Sequence, residues 1–147
     1  MPGTPVDVTQ IQVNPGSGAS LTECNGCDTA RRLVVTSQGG WEAEWARIWA
    51  HQTPVPAMPS VDFTREFVAI AASGAHGSGG YRIHLPSMVI VDDALRINVV
   101  EVVPASTCAV ATLGTSPVSA ARMPLFFGTV EFANQIRTEA QTISEVS

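Results

Sequence analysis

The chain has 147 residues, of which 45% are hydrophobic and only 14% charged, with a net charge of −5. That length suits one ordinary domain, able to bury about 70% of the surface of its unfolded chain. A charged share well under the usual ~25% argues for a packed core and against disorder. All eight cationic side chains are Arg, so Schiff-base, P-loop and lysine-base chemistry are excluded. The acidic balance and the lack of basic runs make nucleic acid and anionic membrane surfaces poor partners.

No stretch approaches 18 consecutive apolar residues, so no transmembrane segment is expected. Met1-Pro2-Gly3-Thr4-Pro5 lacks a basic region followed by an apolar one, and any export signal is expected to lie outside this sequence. Val6, Val8, Ile11 and Val13 suggest a short irregular strand, and residues 14–20 are a Gly/Pro/Ser loop. Cys24-Asn25-Gly26-Cys27-Asp28 has turn-forming composition. Residues 32–36 read as a strand.

The clearest helix spans residues 38–52. Trp41, Trp45, Ile48 and Trp49 recur at i, i+4, i+7 and i+8. Ser37 is placed to accept a free amide of the first turn, and Thr53-Pro54-Val55-Pro56 stops the run. Each Trp brings on the order of 150–250 Å² of surface, roughly 4–6 kcal/mol of gross burial, so the stripe is expected to cover a sheet face. A solvent-facing aromatic platform is the functional alternative.

Residues 66–72 are apolar almost throughout, as for a central strand covered on both faces. Residues 74–80 form a loop with four glycines in seven positions. Tyr81, Ile83 and Leu85 then alternate with Arg82 and His84, and residues 88–103 read as a β-hairpin turning at Asp92-Asp93. Further strands are expected at 107–112, 118–123 and 128–132, with a short helix or tail over 133–147. The expected fold is therefore α+β: a mostly antiparallel, twisted sheet, barrel- or sandwich-like, with one main helix packed on it. Its expected core includes Phe67, Val68, Ile70, Ile83, Val89, Leu95, Ile97 and Val99.

Candidate chemistry is sparse. The glycine loop is followed by a strand, whereas a dinucleotide fingerprint needs a helix whose N-terminus faces the pyrophosphate. It reads either as a flexible connector or as a bare-backbone loop shown to a partner. His51, His76 and His84 have no metal-ligand spacing, three cysteines cannot build a four-Cys zinc site, and Cys24-x-x-Cys27 lacks the flanks of a redox motif. Asp62 reads as a turn cap rather than a general base. No metal, cofactor or catalytic residue is expected.

The order of motifs from 31 to 132 resembles the C-terminal domain of the PrcB family of protease-complex subunits. The matching pieces are Leu33-Val34-Val35, then Trp41-Glu42-Ala43-Glu44-Trp45, Val61-Asp62-Phe63-Thr64-Arg65-Glu66-Phe67-Val68 and Gly79-Gly80-Tyr81-Arg82-Ile83. A Val-rich hairpin, Pro104, Cys108 and Ser116-Pro117 follow. The chain then divides, within a single domain over 1–147, into an N-terminal extension over 1–30 with a short strand and the Cys-containing loop, a PrcB-like core over 31–132 and a C-terminal tail or short helix over 133–147. The resemblance also implies an exported or envelope protein that binds another protein, such as a secreted protease, without being an enzyme. No lipobox-type start accompanies it, and the oligomeric state is not implied.

In that context Cys108 is expected to pair with Cys24 or Cys27, with a Cys24–Cys27 bridge or no bridge as alternatives. The expected contact surface is Gly77, Ser78, Gly79, Gly80, Tyr81 and Arg82. Two other functions stay open at this stage. One is a protease inhibitor working through the loop 74–81, on a few residues similar to the chagasin-type inhibitor loop. The other is an unrecognised enzyme or small-ligand binder, which a pocket collecting His76, Arg82 and a carboxylate would favour.

Overall fold

A computed structural model of the chain describes residues 3–11, 23–77, 80–105 and 114–139. Its organisation follows from one segment, Glu66–Ala72, in which six of seven residues are buried. Alternate side chains of a strand face opposite ways, so a strand buried on both sides needs a layer on each. Phe67, Ala69 and Ala71 face one layer, and Val68, Ile70 and Ala72 face the other.

In chain order the elements are β1 (Thr4–Pro5), β2 (Thr9–Gln10), β3 (Arg31–Val35), α1 (Gln38–Ile48), β4 (Glu66–Ala72), β5 (Arg82–Val91), β6 (Ala94–Pro104), β7 (Val118–Pro124) and β8 (Thr129–Glu139). They form two four-stranded sheets of order β1-β5-β6-β8 and β2-β7-β4-β3. All pairings are antiparallel except β6 with β8, which run parallel over their full lengths. The sheets pack face to face without closing into a barrel, and α1 covers the far side of the second. The fold is thus α+β, a sandwich with one helix on it.

The inter-sheet core pairs large with small. Ile83, Leu85, Met88, Leu95, Ile97 and Val99 come from the first sheet, and Ala69, Ala71 and Ala121 from the middle of the second. Such alternation lets facing layers interdigitate at crystal-like density. On the far side, Trp41, Trp45 and Ile48 pack with Val68, Ile70, Ala120 and the Cys24/Cys27 segment.

The helix begins as the sequence predicts, with Ser37 Oγ accepting from Gly40 N at 3.1 Å. It stops at Ile48, four residues before the predicted end. Trp49 caps it, and His51 adopts a left-handed φ of 65° that no helix continues. Trp41 and Trp45 are almost wholly buried, while Trp49 is half-buried. The Pro-rich connector has a polar use: Trp41 Nε1 donates to Pro59 O at 3.0 Å and Trp45 Nε1 to Pro56 O at 2.9 Å. Prolines lack an N–H, so these carbonyls have fewer local donors and meet the indoles.

Three expectations are corrected. Val89 is not in the core. A bulge lies between His84 and Ser87, around Pro86, and shifts the register by one residue. A one-residue slip exchanges the faces of everything beyond it, so Met88 and Ile90 turn inward and Val89 outward. Residues 133–139 are not helical but extend β8 beyond the predicted end at Phe132, because the parallel ladder with β6 runs on to Pro104↔Glu139. Cys24 bonds to Cys27, with Cα atoms 5.4 Å apart, so neither pairs with Cys108. Cys108 and the predicted strand at 107–112 lie outside the described residues. The hairpin turn stands as predicted: Asp92 and Asp93 both have positive φ, as a type I′ turn requires.

Two predictions follow from this architecture. Met88→Ala should cost about 2–5 kcal/mol in urea unfolding, whereas Val89→Ala should cost less than about 1 kcal/mol; equal costs would refute the bulged register. Thiol titration of the denatured, unreduced chain should find one free thiol, with peptide mapping linking Cys24 to Cys27. In the chain-entropy picture a bridge closing so short a loop contributes about 2 kcal/mol.

Candidate functional site

The predicted contact loop leaves β4 at Ala72 and enters β5 at Arg82. Its stem is held at successive residues. Ser73 N donates to Pro117 O at 2.9 Å and Ala75 N to Asp28 O at 3.1 Å, while His76 and Thr115 exchange backbone hydrogen bonds of 2.7 and 2.9 Å. Gly74 has φ +90°, and a Cβ there would meet Ala30 N at 2.9 Å, so glycine is required. Across the loop, the rings of His76 and Tyr81 stack in parallel with centroids 3.7 Å apart. The structure thus closes the stem of the loop from both sides. Gly77, Gly80, Tyr81 and Arg82 are described, and Ser78 and Gly79 are outside the described residues.

Beneath the stem lies a polar chain that the sequence reading missed. Ser73 Oγ is 2.6 Å from His76 Nε2 and donates to Glu101 Oε2 at 2.9 Å. Glu101 Oε1 accepts from Arg32 Nη2 at 2.5 Å. The remaining nitrogens of Arg32 reach Asn134 Oδ1 (2.7 Å), Ala72 O (2.8 Å) and Arg31 O (2.9 Å). Strand phase explains the meeting. Arg32 pairs with Ala71 and Glu101 with Ile83, and both side chains enter the inter-sheet space at its open end. Arg31, one residue earlier, points the other way and forks onto Glu44 of the helix at 2.5 and 3.1 Å.

Ser, His and Glu together invite comparison with a hydrolytic triad, but the wiring differs. A triad places His between Ser and the carboxylate so that it can take the hydroxyl proton. Here Ser73 is the middle member. Glu101 accepts from both Arg32 and Ser73, so the single hydroxyl proton of Ser73 points to it. His76 must then donate its Nε2–H to Ser73, which assigns the tautomer from the network. In this wiring His76 is a donor to Ser73, and the hydroxyl proton is directed to Glu101, which Arg32 also engages.

An open cleft of about 270 Å³ beside the stem is lined by Glu23, Asn25, Asp28, His76 and Thr115 among others. Arg82 is not in its wall, so the combination that would have favoured a small-ligand site is not assembled there. Arg82 and His84 are exposed on the outer face of β5. Asp62 caps its turn: hydrogen bonds from the Thr64 hydroxyl (2.5 Å) and amide (3.0 Å) hold its carboxyl below the ordinary 3.8. Among the described residues no group of three or more His, Cys, Asp or Glu side chains could hold a metal ion, and no helix is long and apolar enough to cross a membrane. No protein-family profile, curated protein or solved structure matches the chain.

The polar chain yields a graded prediction. Glu101→Gln strips the counter-charge from an arginine whose side chain is only 18% exposed and should cost about 2 kcal/mol. Ser73→Ala should cost about 1 kcal/mol. Urea unfolding measures both, and a smaller loss for Glu101→Gln than for Ser73→Ala would contradict the network's dependence on the ion pair.

Proposed function

We propose that this chain is a non-enzymatic, exported protein-binding module, an accessory or stabilising subunit of a protein complex, with Gly77 to Arg82 as its contact surface. The observation that supports this reading best is the fixed stem beneath a glycine-rich tip. Binding loses free energy to loop ordering, and a loop whose ends are already held by Pro117, Asp28, Thr115 and the His76–Tyr81 stack loses less. Glycines leave backbone N–H and C=O groups accessible to a second chain. The PrcB resemblance points to the partner class, a secreted protease, and the Cys24–Cys27 bridge suits the oxidising compartment such a complex occupies.

Gly77 offers a clean test. A Cβ added there meets nothing within 4 Å, so Gly77→Trp should leave the fold intact while obstructing a partner. The melting temperature should change by no more than about 2 °C. Capture of a protease from the cell-envelope fraction, quantified by mass spectrometry, should fall at least about tenfold, the loss of a contact worth one hot spot. Equal capture by both proteins would reject the loop as the contact. Micromolar inhibition of cysteine or serine proteases, abolished by the same substitution, would instead identify an inhibitor.

A further inference from the structure

The opposite end of β5 carries a second surface, independent of the loop. An apolar cleft of about 300 Å³ opens there, walled by Val6, Ile90, Pro124, Leu125 and Phe126 with buried Leu95 contributing to its lining. Its volume falls at the lower end of the range of ligand-sized sites. Phe127, next to this wall, is 90% exposed, the most exposed large hydrophobic side chain among the described residues. The segment that presents it is anchored at Leu125, whose N donates to Arg65 O at 2.9 Å, and is tight at Gly128, where a Cβ would meet the Phe126 ring at 2.9 Å and Asp93 O at 3.2 Å.

The charge around the cleft is one-sided. Asp7, exposed, is the charged residue in its wall, and the exposed turn Asp92-Asp93 joins the two strands that supply Ile90 and Leu95. The cations nearest to it by chain position are each already paired with a carboxylate, Arg96 with Glu131 at 3.0 Å and Arg122 with Glu66 at 3.2 Å, and Arg65, whose carbonyl anchors Leu125, lies 3.8 Å from Asp62. An apolar hollow with a projecting aromatic and three carboxylates around it complements an apolar side chain flanked by cations. We infer that this end of the sandwich binds an extended peptide segment in which a Leu- or Phe-sized side chain sits beside Arg or Lys. The side chain fills the cleft against Phe127, and the flanking cations meet Asp7, Asp92 and Asp93.

The probe is a fluorescein-labelled pentapeptide with a central leucine between arginines, followed by fluorescence anisotropy against the full chain. The controls replace the arginines with glutamates or the leucine with glycine. Asp92→Asn/Asp93→Asn removes two charges yet keeps a turn that asparagine tolerates at positive φ, and should weaken binding about fivefold. Phe127→Ser should weaken it about tenfold. Neither substitution should change the melting temperature, and Gly77→Trp should leave peptide binding unaltered, which separates this surface from the loop. The inference is overturned if the glutamate peptide binds as well, if the arginine peptide shows no binding at millimolar protein, or if sedimentation reveals a dimer abolished by Phe127→Ser, which would make the occupant a second copy of the chain.

Discussion

The burial of β4 on both faces is the constraint from which the rest of the architecture descends. One strand cannot satisfy two apolar faces with a single neighbouring layer, so the chain surrounds it with a helix on one side and a second sheet on the other. The alanines at 69 and 71 set how large the opposing side chains can be, and Leu85, Met88, Leu95 and Ile97 take up that space. The tryptophans serve the other face, where an eleven-residue helix covers the sheet with the help of the Cys24–Cys27 segment and Val61.

Adjacent residues at the start of β3 join these layers electrostatically. Because strand side chains alternate, Arg31 and Arg32 leave the same segment in opposite directions, one toward Glu44 of the helix and one toward Glu101 of the far sheet. Each is largely removed from water, and pairs of that kind define geometry more than they add stability. The Arg32 arm also reaches the stem of the glycine-rich loop, since Glu101 holds Ser73 and Ser73 holds His76. The loop's attitude is therefore coupled to the spacing of the two sheets.

What could be read from the sequence depended on whether a signal was local. The Ser37 cap, the Asp92-Asp93 turn and the double-sided burial of residues 66–72 are encoded by neighbours in the chain, and each is found where the pattern put it. The bulge at Pro86 was legible only in part. Proline in a strand pattern signals irregularity, but not which side gains a residue, so simple alternation from Ile83 and Leu85 puts Val89 on the wrong face. The helix lost its last four expected residues to a left-handed His51, a conformation that composition does not announce. β8 looked like the end of the sheet at Phe132 because its continuation, Ala133 to Glu139, is held by a partner strand rather than by its own hydrophobicity. The Arg32–Glu101–Ser73–His76 chain joins residues far apart in sequence. Its one local trace is Glu101, a lone charge inside Val99-Val100-Glu101-Val102-Val103, a pattern that calls for a partly buried cation beside it.

The parallel pairing of β6 with β8 bears on how the polypeptide reaches its native state. The β5–β6 hairpin can close as soon as it is synthesised, since its contacts are local. The partner on the other flank of β6 arrives only after β7 has crossed to the opposite sheet, so that ladder waits on a long-range closure, the slow kind of step in β topologies. Until the β8 segment has emerged from the ribosome, β6 presents an open row of backbone donors and acceptors. The nascent chain is thus most vulnerable to intermolecular strand pairing late in translation, and whatever protects it during that interval must shield the flank of β6.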